Sequence, residues 1–135
     1  MKFTMSDGRA NNPRFDERLS FTPEPGGPVD YASTADGPVQ YVEVVDGQGT
    51  LGYLWFQDAS DAADFIPRAD RGVEGMKAGV EWGRRLRAHK ESGLTPSRAV
   101  AELSAETAVP AGHVAPGGPS EAASDSALRA LARGR

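Results

Sequence analysis

The strongest secondary-structure signal in this 135-residue chain is VQYVEVVDGQGTLGYLWF, residues 39–56. Its two halves, 39–45 and 50–56, are rich in β-branched and aromatic residues and flank a glycine-containing loop. Such a pattern predicts a β-hairpin. A four-residue loop would place Val42 opposite Tyr53 and leave both faces of the hairpin apolar. We therefore expect other parts of the protein, or a second copy of it, to cover both faces.

The sequence predicts three helices after the hairpin, over residues 58–66, 72–91 and 96–105. Asp58 would cap the first helix and Pro67 would end it. Thr95 would cap the last helix, with Pro96 in its first turn. The predicted fold class is therefore α+β: a short antiparallel sheet packed against two or three helices, with flexible ends.

Three segments differ in composition. Residues 1–28 are rich in proline, glycine and charge, and a third strand near residues 18–22 and a tail are equally supported. Residues 29–106 hold most of the large apolar side chains and form the predicted α+β body. Residues 107–135 are rich in Ala, Ser, Gly and Pro, which is typical of a flexible linker, followed by a possible short helix.

Four glycines recur in the second predicted helix, at Gly72, Gly75, Gly79 and Gly83. Their spacing places them on one stripe, and each costs about 1 kcal/mol relative to alanine inside a helix. Close approach of another backbone would compensate for that cost. The partner is either the hairpin of the same chain, which we favour, or a helix of a second copy.

The segment GYLWFQDASDAADF, residues 52–65, combines large apolar side chains with spaced aspartates. Asp58 and Asp61 fit the first turn of a helix, where unpaired N–H groups favour anions. An alternative hypothesis makes Tyr53 and Trp55, together with Trp82, the wall of a ligand pocket anchored by one of these aspartates. We expect ligand or partner contacts, if present, at these five residues.

The sequence offers little for catalysis or metal binding. It contains no cysteine and only two histidines, so thiolate chemistry and cysteine-based zinc sites are excluded. No serine nucleophile motif or phosphate-binding loop is present. We therefore expect no enzyme activity, no cofactor and no metal.

Charge and hydropathy bear on partners and location. The formal net charge is −4, and twelve arginines outnumber three lysines, a composition typical of a GC-rich bacterial genome. No apolar run is long enough to span a membrane, and no signal peptide is recognised at the N-terminus, so we expect a cytoplasmic protein. The basic segment 84–90 followed by GLTPSRAVAEL resembles a helix-turn-helix. The net negative charge argues against nucleic acid as the partner.

These observations leave three hypotheses about function. The leading one is a small non-enzymatic protein-interaction module that self-associates as a homodimer, or binds another protein, through an apolar hairpin face or the glycine-striped helix. The second is a small-ligand binder or cryptic enzyme with an aromatic pocket. The third is a helix-turn-helix-like DNA binder.

Overall fold

A computed structural model describes residues 30–106 and 111–133 of the chain. It contains a five-stranded antiparallel sheet and three helices, which confirms the predicted α+β class. The strands are β1 (Val39–Asp46), β2 (Gly49–Gln57), β3 (Ala62–Pro67), β4 (His113–Val114) and β5 (Ser120–Ala122). The helices are α1 (Gly72–Glu91), α2 (Pro96–Ser104) and α3 (Asp125–Ala132). No helix within these described ranges is long and apolar enough to cross a membrane.

The hairpin is confirmed, but its predicted register is wrong. The turn has two residues, because Asp46 pairs with Gly49. Val42 lies opposite Leu54, one position away from the predicted partner. An irregularity next to Val45 accommodates Leu51 as an extra residue of β2. A one-residue slip changes which side chains share a face, so Tyr53 and Trp55 lie on the side opposite Val42.

The predicted helix over residues 58–66 is wrong. Residues Asp58–Ser60 form a single 3₁₀ turn, and β3 follows. β3 pairs with β2 along its whole length and buries side chains on both of its faces. A helix over the same residues would leave some of these side chains uncovered. Pairing with a neighbouring strand thus overrides the local alanine pattern. Pro67 is tolerated at the end of β3 because it is the last residue of an edge strand.

The sheet separates two apolar clusters. On one face, α1 and α2 cover side chains that include Val42, Val44, Leu54 and Phe65. On the other face, α3 packs through Leu128 and Ala132 against a set that includes Val39, Tyr53, Trp55 and Ile66. Both faces of the hairpin are therefore covered within the chain, as its apolar character requires.

The interpretation of residues 107–135 as a linker does not hold for the part that the structure describes. β4 and β5 both pair with β1, and α3 contributes Leu128 with only 1% of its surface exposed. Ser124 caps α3 by accepting a hydrogen bond from the N–H of Ala127 at 3.0 Å. The short helix foreseen at this end is thus a component of the core. The N-terminal segment 1–28, with its possible strand at 18–22, lies outside the described residues.

The other two predicted helices are confirmed with almost the predicted bounds. α1 begins at Gly72, whose φ is +51°, and α2 ends one residue earlier than predicted. Thr95 is the N-cap of α2, and its hydroxyl accepts a hydrogen bond from the N–H of Arg98 at 3.3 Å. Local capping chemistry therefore makes the start of α2 predictable from the sequence.

Candidate functional site

The three aromatic residues assigned to a ligand pocket do not meet. Tyr53 and Trp55 are buried beneath α3, whereas Trp82 is buried on the other side of the sheet. The Tyr53 hydroxyl accepts a hydrogen bond from Arg68, and the Trp82 indole N–H donates to the carbonyl of Ala111 at 3.1 Å. These side chains pack in the core, and Trp82 also binds the segment that follows α2. A role for them in ligand or partner contact stays a prediction.

The aspartates also separate, and each joins a different element. Asp58 accepts hydrogen bonds from the backbone N–H and the hydroxyl of Ser97, at 2.8 and 2.7 Å. It therefore caps α2, not a helix of its own. Asp61 adopts the left-handed conformation, with φ of 50°, and pairs with Lys90 near the end of α1 at 2.6 Å. Both aspartates hold helix ends against the hairpin.

Asp64 is half-buried on the α3 side of the sheet, opposite Trp55. Burial raises the pKa of this carboxyl group, while the backbone N–H of Phe65 and the charge of Arg129 act in the opposite direction. The Phe65 N–H donates to its Oδ1 at 2.9 Å. In the part of the chain that the structure describes, no group of three His, Asp or Glu residues is placed to hold a metal ion.

The basic segment of α1 is engaged in ion pairs within the chain. Arg84 and Arg85 both contact Glu81, at 2.7 and 2.6 Å. Arg87 pairs with Asp30 at 2.8 Å. The pKa of Glu81 is lowered by its hydrogen bonds from the two arginines. These pairs reduce the positive charge available to a phosphate backbone, so they give no support to the DNA-binding hypothesis.

The four glycines of α1 are explained by different features of the structure. Gly72 has a positive φ, which favours glycine whatever its neighbours. A Cβ atom at Gly75 would lie 3.2 Å from Pro67 and 3.3 Å from the carbonyl oxygen of Arg68, so close packing within the chain explains this position. At Gly79 a Cβ atom would make ordinary contact with the Phe65 ring. At Gly83 it would meet no described atom within 4 Å.

Large apolar side chains lie exposed along the same helix. Val73, Met76 and Val80 have 65%, 68% and 75% of their surface exposed. Their spacing places them on one stripe, which Gly83 continues. We call these four residues the α1 outward face. The sequence shows that these apolar residues lie next to the glycines of the helix. It does not show which side of the helix faces the sheet.

A second feature is a cleft of about 560 Å³ beside α2. Sheet residues, α2 and the loop between β4 and β5 line it: Val42, Phe56, Ser97, Val100, Ala101, Ser104 and residues 114–119. We call it the α2 cleft. The sequence does not predict this cleft, because the composition of residues 107–135 is typical of a linker. The one local signal is APGGP, a turn-forming sequence between two short strands.

Comparison with known proteins adds no further evidence. No protein-family model, curated protein or solved structure matches this chain. The two surface features that bear on function are therefore the α1 outward face, with its exposed apolar side chains, and the α2 cleft.

Proposed function

We propose that this protein is a non-enzymatic interaction module that forms a homodimer through the α1 outward face. The observation that carries the proposal is the exposure of Val73, Met76 and Val80 on one stripe of the longest helix described. Contiguous apolar side chains of this size are seldom left in water by a monomer and mark interaction sites. The hairpin face, the other surface considered for self-association, is covered by α3.

A second copy fits this face because the stripe is self-complementary. If two α1 helices cross antiparallel with a two-fold axis near Met76, Val73 of each copy faces Val80 of the other, as a symmetric dimer requires. Antiparallel crossing also aligns the helix dipoles favourably.

Gly83 supports the same arrangement. A methyl group at this position would meet no described atom of its own chain, so packing within the described chain does not account for a glycine that costs about 1 kcal/mol in helix stability. In the antiparallel pair, Gly83 faces the turn that immediately precedes the partner helix. The missing side chain then allows the two backbones to approach closely.

Sedimentation velocity between about 1 and 100 µM tests this proposal. We expect the wild-type chain to show a concentration-dependent monomer–dimer equilibrium, which Val80→Glu shifts toward monomer by about tenfold or more because it buries an unpaired charge against Val73 of the other copy. Ala88→Glu, on the same helix but off the stripe, is the matched control and should leave the equilibrium unchanged. Gly83→Ala should weaken association while it stabilises the monomer.

Two outcomes would contradict the proposal. One is a wild-type chain that remains monomeric over the whole concentration range. The other is association that Val80→Glu and Ala88→Glu affect equally, because the surface would then lie elsewhere.

The proposal includes a bacterial cytoplasmic origin, which the arginine-rich composition and the lack of a long apolar run support. Fractionation of cells that produce the full chain checks the location. The absence of enzyme activity belongs to the same proposal. It is supported by the placement of the aromatic residues in separate clusters and by the contacts of Asp58 and Asp61 with different helices.

A further inference from the structure

The α2 cleft is built by three parts of the fold. Val42 and Phe56 belong to the sheet face that α1 and α2 cover. Val100, Ala101 and Ser104 belong to α2, and the loop 115–119 closes the other side. β4 and β5 pair with β1 at different registers. The five residues 115–119 therefore lie opposite only two residues of β1, and the loop that they form turns out of the sheet.

Backbone geometry holds this loop in place. The N–H of Ala115 donates to the carbonyl of Glu43 at 2.9 Å and fixes the start of the loop on β1. Gly117 and Gly118 have φ values of +118° and +80°, which side-chain-bearing residues rarely adopt. The loop therefore has a defined path that keeps the cleft open, and its volume of about 560 Å³ lies in the range of small-molecule sites.

The lining determines which ligands can bind. None of the residues around the cleft carries a formal charge, so an ionic ligand would lose hydration without gaining a counter-charge. Phe56, Val42 and Val100 supply apolar contact surface instead. A neutral and largely apolar molecule is the chemical class that this lining complements.

The serine hydroxyl groups of the cleft determine which polar group a ligand can present to it. Ser104 donates its proton to the carbonyl of Val100 at 2.8 Å, and Ser97 donates to Asp58 at 2.7 Å. Since each hydroxyl has a single proton, both offer only acceptor lone pairs to a ligand. Ser97 also lies 3.4 Å from the Thr95 hydroxyl, which makes Ser104 the better placed acceptor.

We infer that the α2 cleft binds a neutral, apolar small molecule that donates one hydrogen bond to Ser104. This site is separate from the α1 outward face, so it neither requires the homodimer nor excludes it.

Three naphthalene probes test the ligand class with the full-length chain. 1-Naphthol is neutral and donates a hydrogen bond, 1-methoxynaphthalene lacks the donor, and 1-naphthalenesulfonate is an anion. Isothermal titration calorimetry should give 1-naphthol a dissociation constant on the order of 100 µM, a value reachable for a ligand of this size. We expect 1-methoxynaphthalene to bind about fivefold more weakly, as the loss of one net hydrogen bond implies. The sulfonate should bind at least tenfold more weakly than 1-naphthol.

Variants locate the site. Ala101→Phe fills the cleft from α2 and should weaken 1-naphthol binding at least tenfold, whereas Ala88→Phe, the matched control on α1, should leave it unchanged. Ser104→Ala should reduce the preference for 1-naphthol over 1-methoxynaphthalene to less than twofold. Amide resonances of α2 and of loop 115–119 should shift on titration with 1-naphthol, and circular dichroism checks that each variant is folded.

The inference is overturned if 1-naphthol fails to bind, as it would if another segment of the chain or a second copy already filled the cleft. It is also overturned if the sulfonate binds as tightly as 1-naphthol, if the two phenylalanine variants behave alike, or if folded Ser104→Ala keeps the full preference.

Discussion

At the scale of single residues, Gly52 shows how closely the strands of this sheet are packed against their neighbours. It lies buried in β2, opposite Pro67 of β3. A Cβ atom at this position would lie 2.5 Å from the ring of Phe65 and would also collide with the carbonyl oxygen of Ile66. The Phe65 ring thus occupies the space that a side chain at Gly52 would need, and the two strands cannot accommodate both.

Substitution of Gly52 tests this packing. We expect Gly52→Ala to lower the free energy of unfolding by about 2 kcal/mol or more, because overpacking forces both strands to shift. Gly47→Ala is the matched control, since a Cβ atom there meets nothing within 4 Å, and it should change stability by less than about 0.5 kcal/mol. Urea unfolding followed by tryptophan fluorescence measures both. Equal effects at the two positions would contradict the close packing of the Phe65 ring over Gly52.

Asp64 provides a prediction about pH. Burial raises the pKa of its carboxyl group in the folded state. The charge of Arg129 lowers this pKa, and the charge of Asp30 raises it. As the pH rises, the unfolded chain therefore releases this proton before the folded chain does, and the carboxyl group destabilises the fold progressively. Asp64→Asn keeps the acceptor for the Phe65 N–H and removes this pH dependence.

The measurement is the difference in unfolding free energy between Asp64→Asn and wild type at pH 3 and at pH 7. We expect the stability of the variant relative to wild type to increase from acidic to neutral pH. A difference that is constant, or that falls as the pH rises, would show that Asp64 does not titrate with a raised pKa.

At the scale of elements, α3 is the part of the described chain that covers the second face of the hairpin. Leu128 is 1% exposed and packs in the cluster with Tyr53 and Trp55, whereas Leu131 on the same helix is 37% exposed. We expect Leu128→Ala to cost about 3 kcal/mol and Leu131→Ala less than about 1 kcal/mol. Thermal and urea unfolding check the pair. If both substitutions had equally small effects, α3 would not cover the sheet in solution.

Some elements could be predicted from the sequence because local chemistry specifies them. The β-branched and aromatic runs around the glycine-containing turn predicted the hairpin, and Thr95 with Pro96 predicted the start of α2. Residues 58–66 were not predictable in this way, since alanines at helical spacing also fit a strand that is buried on both faces. Only the pairing of β3 with β2 decides between the two.

The candidate sites depended even more on tertiary contacts. The sequence singled out the glycines and the neighbouring Val73, Met76 and Val80, but only packing shows that Gly75 is needed within the chain while Gly83 is not. The α2 cleft exists because the loop between β4 and β5 leaves the sheet, and no local pattern indicates which strands those short segments join. The register shift at Leu51 could not be predicted from the sequence either, since a bulge carries no strong sequence signal.

At the scale of the whole molecule, the fold covers its own sheet and leaves one helix incompletely buried. α1 and α2 cover one face of the sheet and α3 covers the other. The outward stripe of α1 is different, because its apolar side chains face solvent over the described part of the chain. We propose that the chain self-associates through that stripe.

The most direct test uses the natural absence of cysteine. In a chain carrying Met76→Cys, any disulfide must join two copies, and the antiparallel arrangement places this residue near the two-fold axis. We expect mild oxidation at about 20 µM protein to convert Met76→Cys into a covalent dimer at least tenfold faster than Ala88→Cys, which is exposed on the same helix but off the stripe. Equal rates of dimer formation for the two variants would contradict the claim.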